Sequence, residues 1–337
     1  MNVQNKLQKS LKELSFSGAF YAQKDEEVLI GSNGFQNRSE RITNQVKTRF
    51  SIASGSKIFT SVAICMLVEM GKISFETKLI DCLDIKFPYF DKEITIHHLL
   101  THTSGVPDYF DEEEMDDYEV LWESRPMYHV RNPKDFLPLF QHERMQADVG
   151  SSFRYNNSGY ILLGLMIEHV AQCSFTDFIE KHIFRKANMQ DSGYFEMDRL
   201  PKSTAFGYIV EPDGTWKTNM YSIPVKGGPD GGAYVTVEDM AKFWQSLMGY
   251  KFLSKKMTEI LLQPREVVVA EDGIYYGYAG YMEVNEHQEV IKYIQMGYDP
   301  GVNYRAVYEP KSDMLIVVCS NEAEGAYELL KEMESIL

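Results

Sequence analysis

Apolar and polar positions alternate along this chain in three regimes. In the N-terminal part, VQNKLQKSLKEL (residues 3–14) carries apolar residues at helical spacing and predicts an amphipathic helix. SGAFYAQ (17–23) and EVLIGSNGF (27–35), separated by the polar KDE, predict a hairpin, and TRFSIA (48–53) a third short strand. From Lys57 to Met70 the pattern is apolar nearly all round, with Gly71 as the stop signal. A helix greasy on every face belongs inside a protein. Its first turn therefore brings unpaired N–H groups and the positive end of a helix dipole into a partly buried place.

The middle regime, residues 76–234, is mixed and loop-rich. Thr95 caps IHHLLTH (96–102), SGYILLGLMIEHVAQ (158–172) predicts a second strongly apolar helix, and SFTDFIEKHIF (174–184) a third that opens on a serine cap. GGPDGG (227–232) is turn-dense, and Thr236 with Asp239 predicts a capping box opening the helix TVEDMAKFWQSLM. After residue 274 the period changes to two. IYYGYAGYMEV, VIKYIQMG, NYRAVYEP and MLIVVCS predict antiparallel strands, closed by the helix AYELLKEMESIL. Strands at both ends with helices between predict an α+β fold. One antiparallel sheet is assembled from N- and C-terminal parts, 1–75 with 235–337, and a mainly helical subdomain, 76–234, is inserted.

The 337 residues include 21 Tyr and 19 Phe, enough apolar material for a large core. The net charge of −15, without clustered Lys or Arg, disfavours nucleic acid and anionic membrane surfaces as partners. Cys65, Cys82, Cys173 and Cys319 match no zinc or CxxC spacing and read as free thiols. Neither a secretory h-region nor an apolar run of membrane-spanning length is visible, so the expected location is cytoplasmic.

The candidate chemistry starts in SGSKIFTS (54–61). A Ser-x-x-Lys spacing arises by chance about once in a chain of this size, and Ser54 could simply cap the helix. Its position argues for more. A lysine one turn from a serine at a buried helix start is desolvated, which lowers its pKa toward that of a usable base. Two further stretches, LLTHTSGVPDYF (99–110) and FRYNNSGYILLG (153–164), follow in order. Taken by themselves, Tyr155 to Asn157 read as a turn before a helix.

The ordered set Ser54-Gly-Ser-Lys57, ITIHHLLTHTSGVPDY, Tyr155-Asn156-Asn157 and GGAYVTVEDMAKF resembles the serine β-lactamase-related hydrolases. The resemblance is to the class C branch, with its penicillin-binding DD-peptidases, D-aminopeptidases and esterases, and spans roughly residues 15–325. It implies a β-lactamase/transpeptidase-like fold and an acyl-enzyme hydrolase that needs no cofactor and no metal. Ser54 would be the nucleophile, Lys57 its base, and Tyr155 a proton carrier whose phenol the lysine ammonium helps to ionise. Asn157 would hold Lys57 and meet a substrate amide. The third element of the family, usually Lys-Thr-Gly or His-x-Gly, aligns with Gln295-Met296-Gly297. Gln295 has no charge, so electrostatic capture of a substrate carboxylate is in doubt. Gly297 keeps the close backbone approach, and the N–H groups of Tyr298 and Ser54 would form the oxyanion hole.

The implied substrate is a small or short-peptide ester or amide, with a D-amino-acid peptidase or amidase, and a degenerate penicillin-binding or sensing module, as alternatives. For the amidase, Asp230 and the acidic run DEEEMDD (111–117) would hold a substrate amine. Each also has a plainer reading, Asp230 as part of a turn and the run as a solvated loop. His98 and His102 have a spacing that can ligate zinc, but lack the glutamate of a His-Glu-x-x-His site, so no metal is expected.

Overall fold

The computed structural model describes residues 7, 11, 14, 16–115, 118–123 and 125–337. The amphipathic helix expected over 3–14 lies mostly outside the described residues. The centre of the fold is an eight-stranded antiparallel sheet. In chain order its strands are β1 (Gly18–Lys24), β2 (Glu27–Asn33), β3 (Glu266–Val269), β4 (Ile274–Gly277), β5 (Gly280–Val284), β6 (Val290–Asp299), β7 (Val302–Glu309) and β8 (Met314–Ser320). Across the sheet they run β2-β1-β8-β7-β6-β5-β4-β3. The two ends of the chain meet where β1 pairs with β8, Gly18 opposite Ser320 and Gln23 opposite Leu315.

Both faces of the sheet are covered, which is why β8 is buried at all seven positions. One face carries the C-terminal helix, packing Leu329, Leu330 and Met333 on Phe20, Ile316 and Val318. The other carries the large core, through which α1 (Lys57–Glu69) runs. Its residues from Lys57 to Leu67 are all buried, as expected of a helix apolar on every face. Gly71, at φ +68°, ends it. Beside it lies α2 (Asn157–Ala171), capped by the Asn156 side chain on the Gly159 N–H.

Several elements differ from the sequence expectation. TRFSIA adds nothing to the large sheet: only Phe50–Ser51 is extended, paired with Tyr234–Val235. IYYGYAGYMEV is two strands, folded back between Gly277 and Gly280, because Gly280 at φ +109° turns the chain. The edge strand β3 has no counterpart in the predicted set. It is four residues long, with Val267 and Val269 exposed, too short for a period to show. Thr236 does cap its helix, Val237–Met248, by accepting from the Asp239 N–H. The Asp239 carboxylate, however, goes to the Asp191 N–H and Ser192 hydroxyl, so the box is replaced by a tie between segments.

Candidate active site

Ser54 sits in a single 3-10 turn, Ala53–Ser56, just before α1. Ala53 has φ +45°, a left-handed conformation that costs an alanine on the order of 1 kcal/mol and persists only when its surroundings impose it. The GGPDGG segment supplies that imposition. The Gly232 N–H donates to the Ala53 carbonyl at 3.0 Å, and the Ser56 hydroxyl does so at 2.8 Å. Ser56 Oγ in turn accepts from the Ala233 N–H, and Thr60 Oγ1 donates to the Pro229 carbonyl at 2.6 Å. A Cβ on Gly231 would lie 3.2 Å from the Ala53 carbonyl carbon. The predicted turn is therefore a clamp on the serine turn.

Lys57, the first residue of α1, is buried. Its ammonium donates to Ser54 Oγ at 3.0 Å, to Asn157 Oδ1 at 2.8 Å and to the Asp230 carbonyl at 2.6 Å. All three donor positions are used. Burial lowers its pKa, and the Asp230, Glu112, Asp108 and Asp299 carboxylates oppose that shift only in part.

Tyr155 stands beside the same serine, its side chain lining the cavity that Ser54 and Lys57 border. The Lys57 nitrogen lies 4.8 Å from the ring centroid. Behind it, the His102 ring packs against Tyr155 at a tilt of 37°, with centroids 4.5 Å apart. The Tyr155 phenol does not become easier to ionise. Burial, then the Glu112 charge, pushes its pKa well above the ordinary tyrosine value, outweighing any help from the lysine.

His102 is held at φ +58°, outside the short helix Ile96–Leu100, so it does not share a helix face with His98. Its Nδ1 accepts from the Asn156 N–H at 3.0 Å, which leaves Nε2 to donate to Tyr276 Oη at 3.0 Å. Burial and the nearby Lys57 hold its pKa well below the usual range, so the ring is neutral. The LLTHTSG block thus buttresses Tyr155 through its histidine.

Asn157 opens α2. Its Oδ1 takes Lys57, while its Nδ2 donates to the Phe110 carbonyl at 3.2 Å, so both ends of the amide are engaged inside the protein. Asp108 ties down the same helix end, accepting from the Asn157 N–H at 2.8 Å and the Ser158 N–H at 2.9 Å. Burial still pushes the Asp108 carboxyl up to about 7.

On β6, Gln295 and Gly297 face the serine turn. A Cβ on Gly297 would stand 2.1 Å from the Ile52 carbonyl oxygen and 2.8 Å from the Gly55 nitrogen, so only glycine lets strand and turn meet. Gln295 is buried, and its amide donates to the Ala279 carbonyl on the turn between β4 and β5. It is a tie within the sheet, already engaged. Tyr298 follows, 59 % exposed. Ser54, Lys57, Tyr155, Gln295, Gly297 and Tyr298 all line one cavity, to which Glu112 also contributes. Glu112 lies in the acidic run, whose neighbours differ in role. Asp111 is buried against Arg154, which Glu114 also meets at 3.1 Å.

The sequence matches the family described as Beta-lactamase over residues 3–332. This chain belongs to the beta-lactamase family. The family is one of serine hydrolases, with penicillin-binding proteins and amidases among its members and neighbours. Penicillin-binding protein 4* of Bacillus subtilis is 29% identical, over 96% of this chain and 72% of the relative. A crystal structure of a penicillin binding protein from Bacillus halodurans is 51% identical, with a TM-score of 0.93 over 98% of this chain and 100% of that one. The D-amino acid amidase of Ochrobactrum anthropi SV3, 18% identical, shares the fold with a TM-score of 0.80 over 99% of each chain in its D-phenylalanine complex. The expected β-lactamase/transpeptidase-like architecture is borne out by these matches.

Beyond the predicted residues, the cleft includes several that the sequence reading left out. Glu112, Asp299 and Tyr234 line the cavities that Ser54 borders, and Asp108 ties down the first residue of α2; Asp108 and Tyr234 lie within the quoted stretches and Glu112 within the acidic run, but none has a role of its own in the sequence reading, and Asp299 belongs to no motif. No group of three or more potential metal ligands occurs among the described residues. Among them, too, no helix is long and apolar enough to cross a membrane.

Proposed function

We propose that the protein is a serine hydrolase that cleaves an ester or amide through an acyl-enzyme on Ser54. The observation that carries this is the position of buried Lys57 Nζ, 3.0 Å from Ser54 Oγ and 4.8 Å from the Tyr155 ring centroid, on one cavity. In the neutral form that its burial favours, Lys57 accepts the Ser54 proton as Oγ attacks the carbonyl carbon. Tyr155 stays a neutral phenol and acts as a relay, handing one proton on as it accepts another. The proton reaches the leaving nitrogen or oxygen as its bond to the carbonyl carbon breaks. Water then attacks the acyl carbon, loses its proton by the same route, and releases the acid with Ser54 restored. The developing oxyanion meets the N–H groups of Ser54 and Tyr298, which the close packing of Gly297 on Ile52 holds near one another.

Gln295 shapes the substrate range. Its amide is already bonded to Ala279, and it brings no charge to the cleft, so substrates that depend on a cation for a carboxylate lose that anchor. Neutral esters and amides are favoured over β-lactams. A fluorophosphonate or fluorescent penicillin probe should add one adduct mass, mapped by peptide sequencing to Ser54 and missing from Ser54→Ala. An unlabelled wild-type protein, or equal labelling of the Ser54→Ala variant, would remove the proposal.

A further inference from the structure

In the proposed mechanism Lys57 is a base, and a base needs its lone pair aimed at the proton it takes. The ammonium spends its three N–H bonds on Ser54 Oγ, Asn157 Oδ1 and the Asp230 carbonyl. Once one proton has gone, two N–H bonds remain. Asn157 Oδ1 and the Asp230 carbonyl can only accept, so they keep those two bonds. The Ser54 hydroxyl alone can turn and donate, and the lone pair is left facing it. Whatever fixes the two carbonyl acceptors therefore aims the base.

Both are fixed by one dipeptide, Asp108-Tyr109, in the stretch LLTHTSGVPDYF. Asp108 holds Asn157. One carboxylate oxygen accepts from the Asn157 N–H at 2.8 Å and from its Nδ2 at 3.4 Å. The other accepts from the Ser158 N–H at 2.9 Å and the Ser158 hydroxyl at 3.2 Å. The Phe110 carbonyl also accepts from Asn157 Nδ2, at 3.2 Å. An amide turned over would put its NH₂ against the ammonium and its oxygen against a carboxylate, so Oδ1 has to face Lys57. Tyr109 holds Asp230. Its hydroxyl donates to the carboxylate of the residue whose backbone carbonyl meets the lysine. Ser158 joins the two halves, its Oγ accepting from the Tyr109 N–H at 2.8 Å.

Asp108 lines neither of the cavities that Ser54 borders, so its contacts serve the protein and not a ligand. The Lys57 charge reaches it through space, and the phenols of Tyr109 and Tyr118, the other titratable groups around it, are held neutral by burial. We infer that Asp108 and Tyr109 are positioning residues for acylation, which fix the two carbonyl acceptors of Lys57 and so aim its lone pair at Ser54. This inference rests on Ser54 acting as the acylated nucleophile with Lys57 as its base.

The test is fluorophosphonate labelling of Ser54 over a series of probe concentrations and pH values, on wild type, Asp108→Asn and Tyr109→Phe, each checked for native thermal unfolding. On the alkaline plateau Lys57 is already neutral, and Asp108, whose carboxyl burial raises only to about 7, is ionised. There Asp108→Asn, which turns an NH₂ toward the donors of α2, should lower the maximal labelling rate by about tenfold to a hundredfold. The half-saturating probe concentration should not change, because Asp108 lines neither cavity. Tyr109→Phe removes a single oxygen and should lower the same plateau by about tenfold, which decides the matter if Asp108→Asn does not fold. A plateau equal to wild type overturns the inference in either of two ways. An acid limb moved to lower pH would make Asp108 a charge near the lysine and nothing more, and a lowered melting temperature alone would make it a structural tie. Absence of labelling in wild type would instead overturn the acyl-enzyme reading beneath the inference.

Discussion

The Asp230 backbone carbonyl accepts from Lys57 Nζ at 2.6 Å, while the carboxylate of the same residue is turned aside to the Tyr109 hydroxyl. Lys57 thus has an acid close by and no salt bridge to it. The acid raises the lysine pKa through space, burial lowers it, and burial prevails. In the proposed mechanism kcat/KM rises with pH as Lys57 loses its proton, with a midpoint below the ordinary lysine value. Asp230→Asn removes a charge that favours the ammonium. The acid limb should then move to lower pH, by on the order of one unit, in a pH profile on a neutral ester. A limb that stays put or moves up contradicts this.

In the proposed mechanism Tyr155 is a relay whose phenol stays neutral, since burial and Glu112 hold its pKa well above the usual one. Tyr155→Phe should lower kcat by about 10²–10⁴. The pH profile of the residual activity should keep the Lys57 limb. Unchanged turnover would show that the phenol is a bystander.

The contact between Gly297 and the serine turn leaves no room for a methyl group, because Ile52 and Gly55 are backbone neighbours that cannot rotate away. Gly297→Ala should destabilise by about 1–3 kcal/mol, seen as a lowered denaturant midpoint. Acylation by a fluorophosphonate should slow more than that loss of fold explains.

Gln295→Lys puts a cation where the family usually has one. Selectivity for a carboxylate-bearing acyl ester over its methyl ester should rise about tenfold, or ~1.4 kcal/mol. The amide bond to Ala279 is lost, so a lower melting temperature should accompany the gain. A selectivity that stays constant would mean that the position does not reach the substrate.

Asp299 makes a stability prediction with a definite sign. Its folded carboxyl titrates near 8, above an unfolded aspartate, so the fold favours the protonated form. Stability from this group is full below the unfolded value of about 4 and is lost as pH rises toward 8. Asp299→Asn cannot ionise. Its melting temperature relative to wild type should therefore climb between pH 5 and pH 8, by about 2–4 °C for each kcal/mol relieved. A difference that does not vary with pH would refute the buried, unpaired state.

Helix α1 was legible because Lys57 to Leu67 carries its burial in its composition, and Gly71 marks its end. That Ser54, Lys57 and Tyr155 would be brought to one cavity was legible because motifs kept their order along the chain. What local pattern could not reveal is what distant segments do to one another. The Gln295 amide is spent on Ala279 because β6 and β5 are neighbours, and no property of VIKYIQMG encodes that bond. Tyr234 and Asp299 are 65 positions apart and carry no shared spacing, yet they line one cavity. The rise in the Tyr155 pKa is likewise a matter of burial against Glu112, a residue that by itself reads as one of several solvated acids.

The pairing of β1 with β8 also sets when the enzyme can first work. During synthesis, Ser54 and Lys57 leave the ribosome early, but β6, which holds Gly297 against their turn, is made some 240 residues later. The strand that completes the sheet beside β1 comes later still, ending at Ser320. In the proposed mechanism the serine turn is thus made some 240 residues ahead of the strand that supplies its oxyanion partner, and the site cannot be assembled before that strand has docked on the turn.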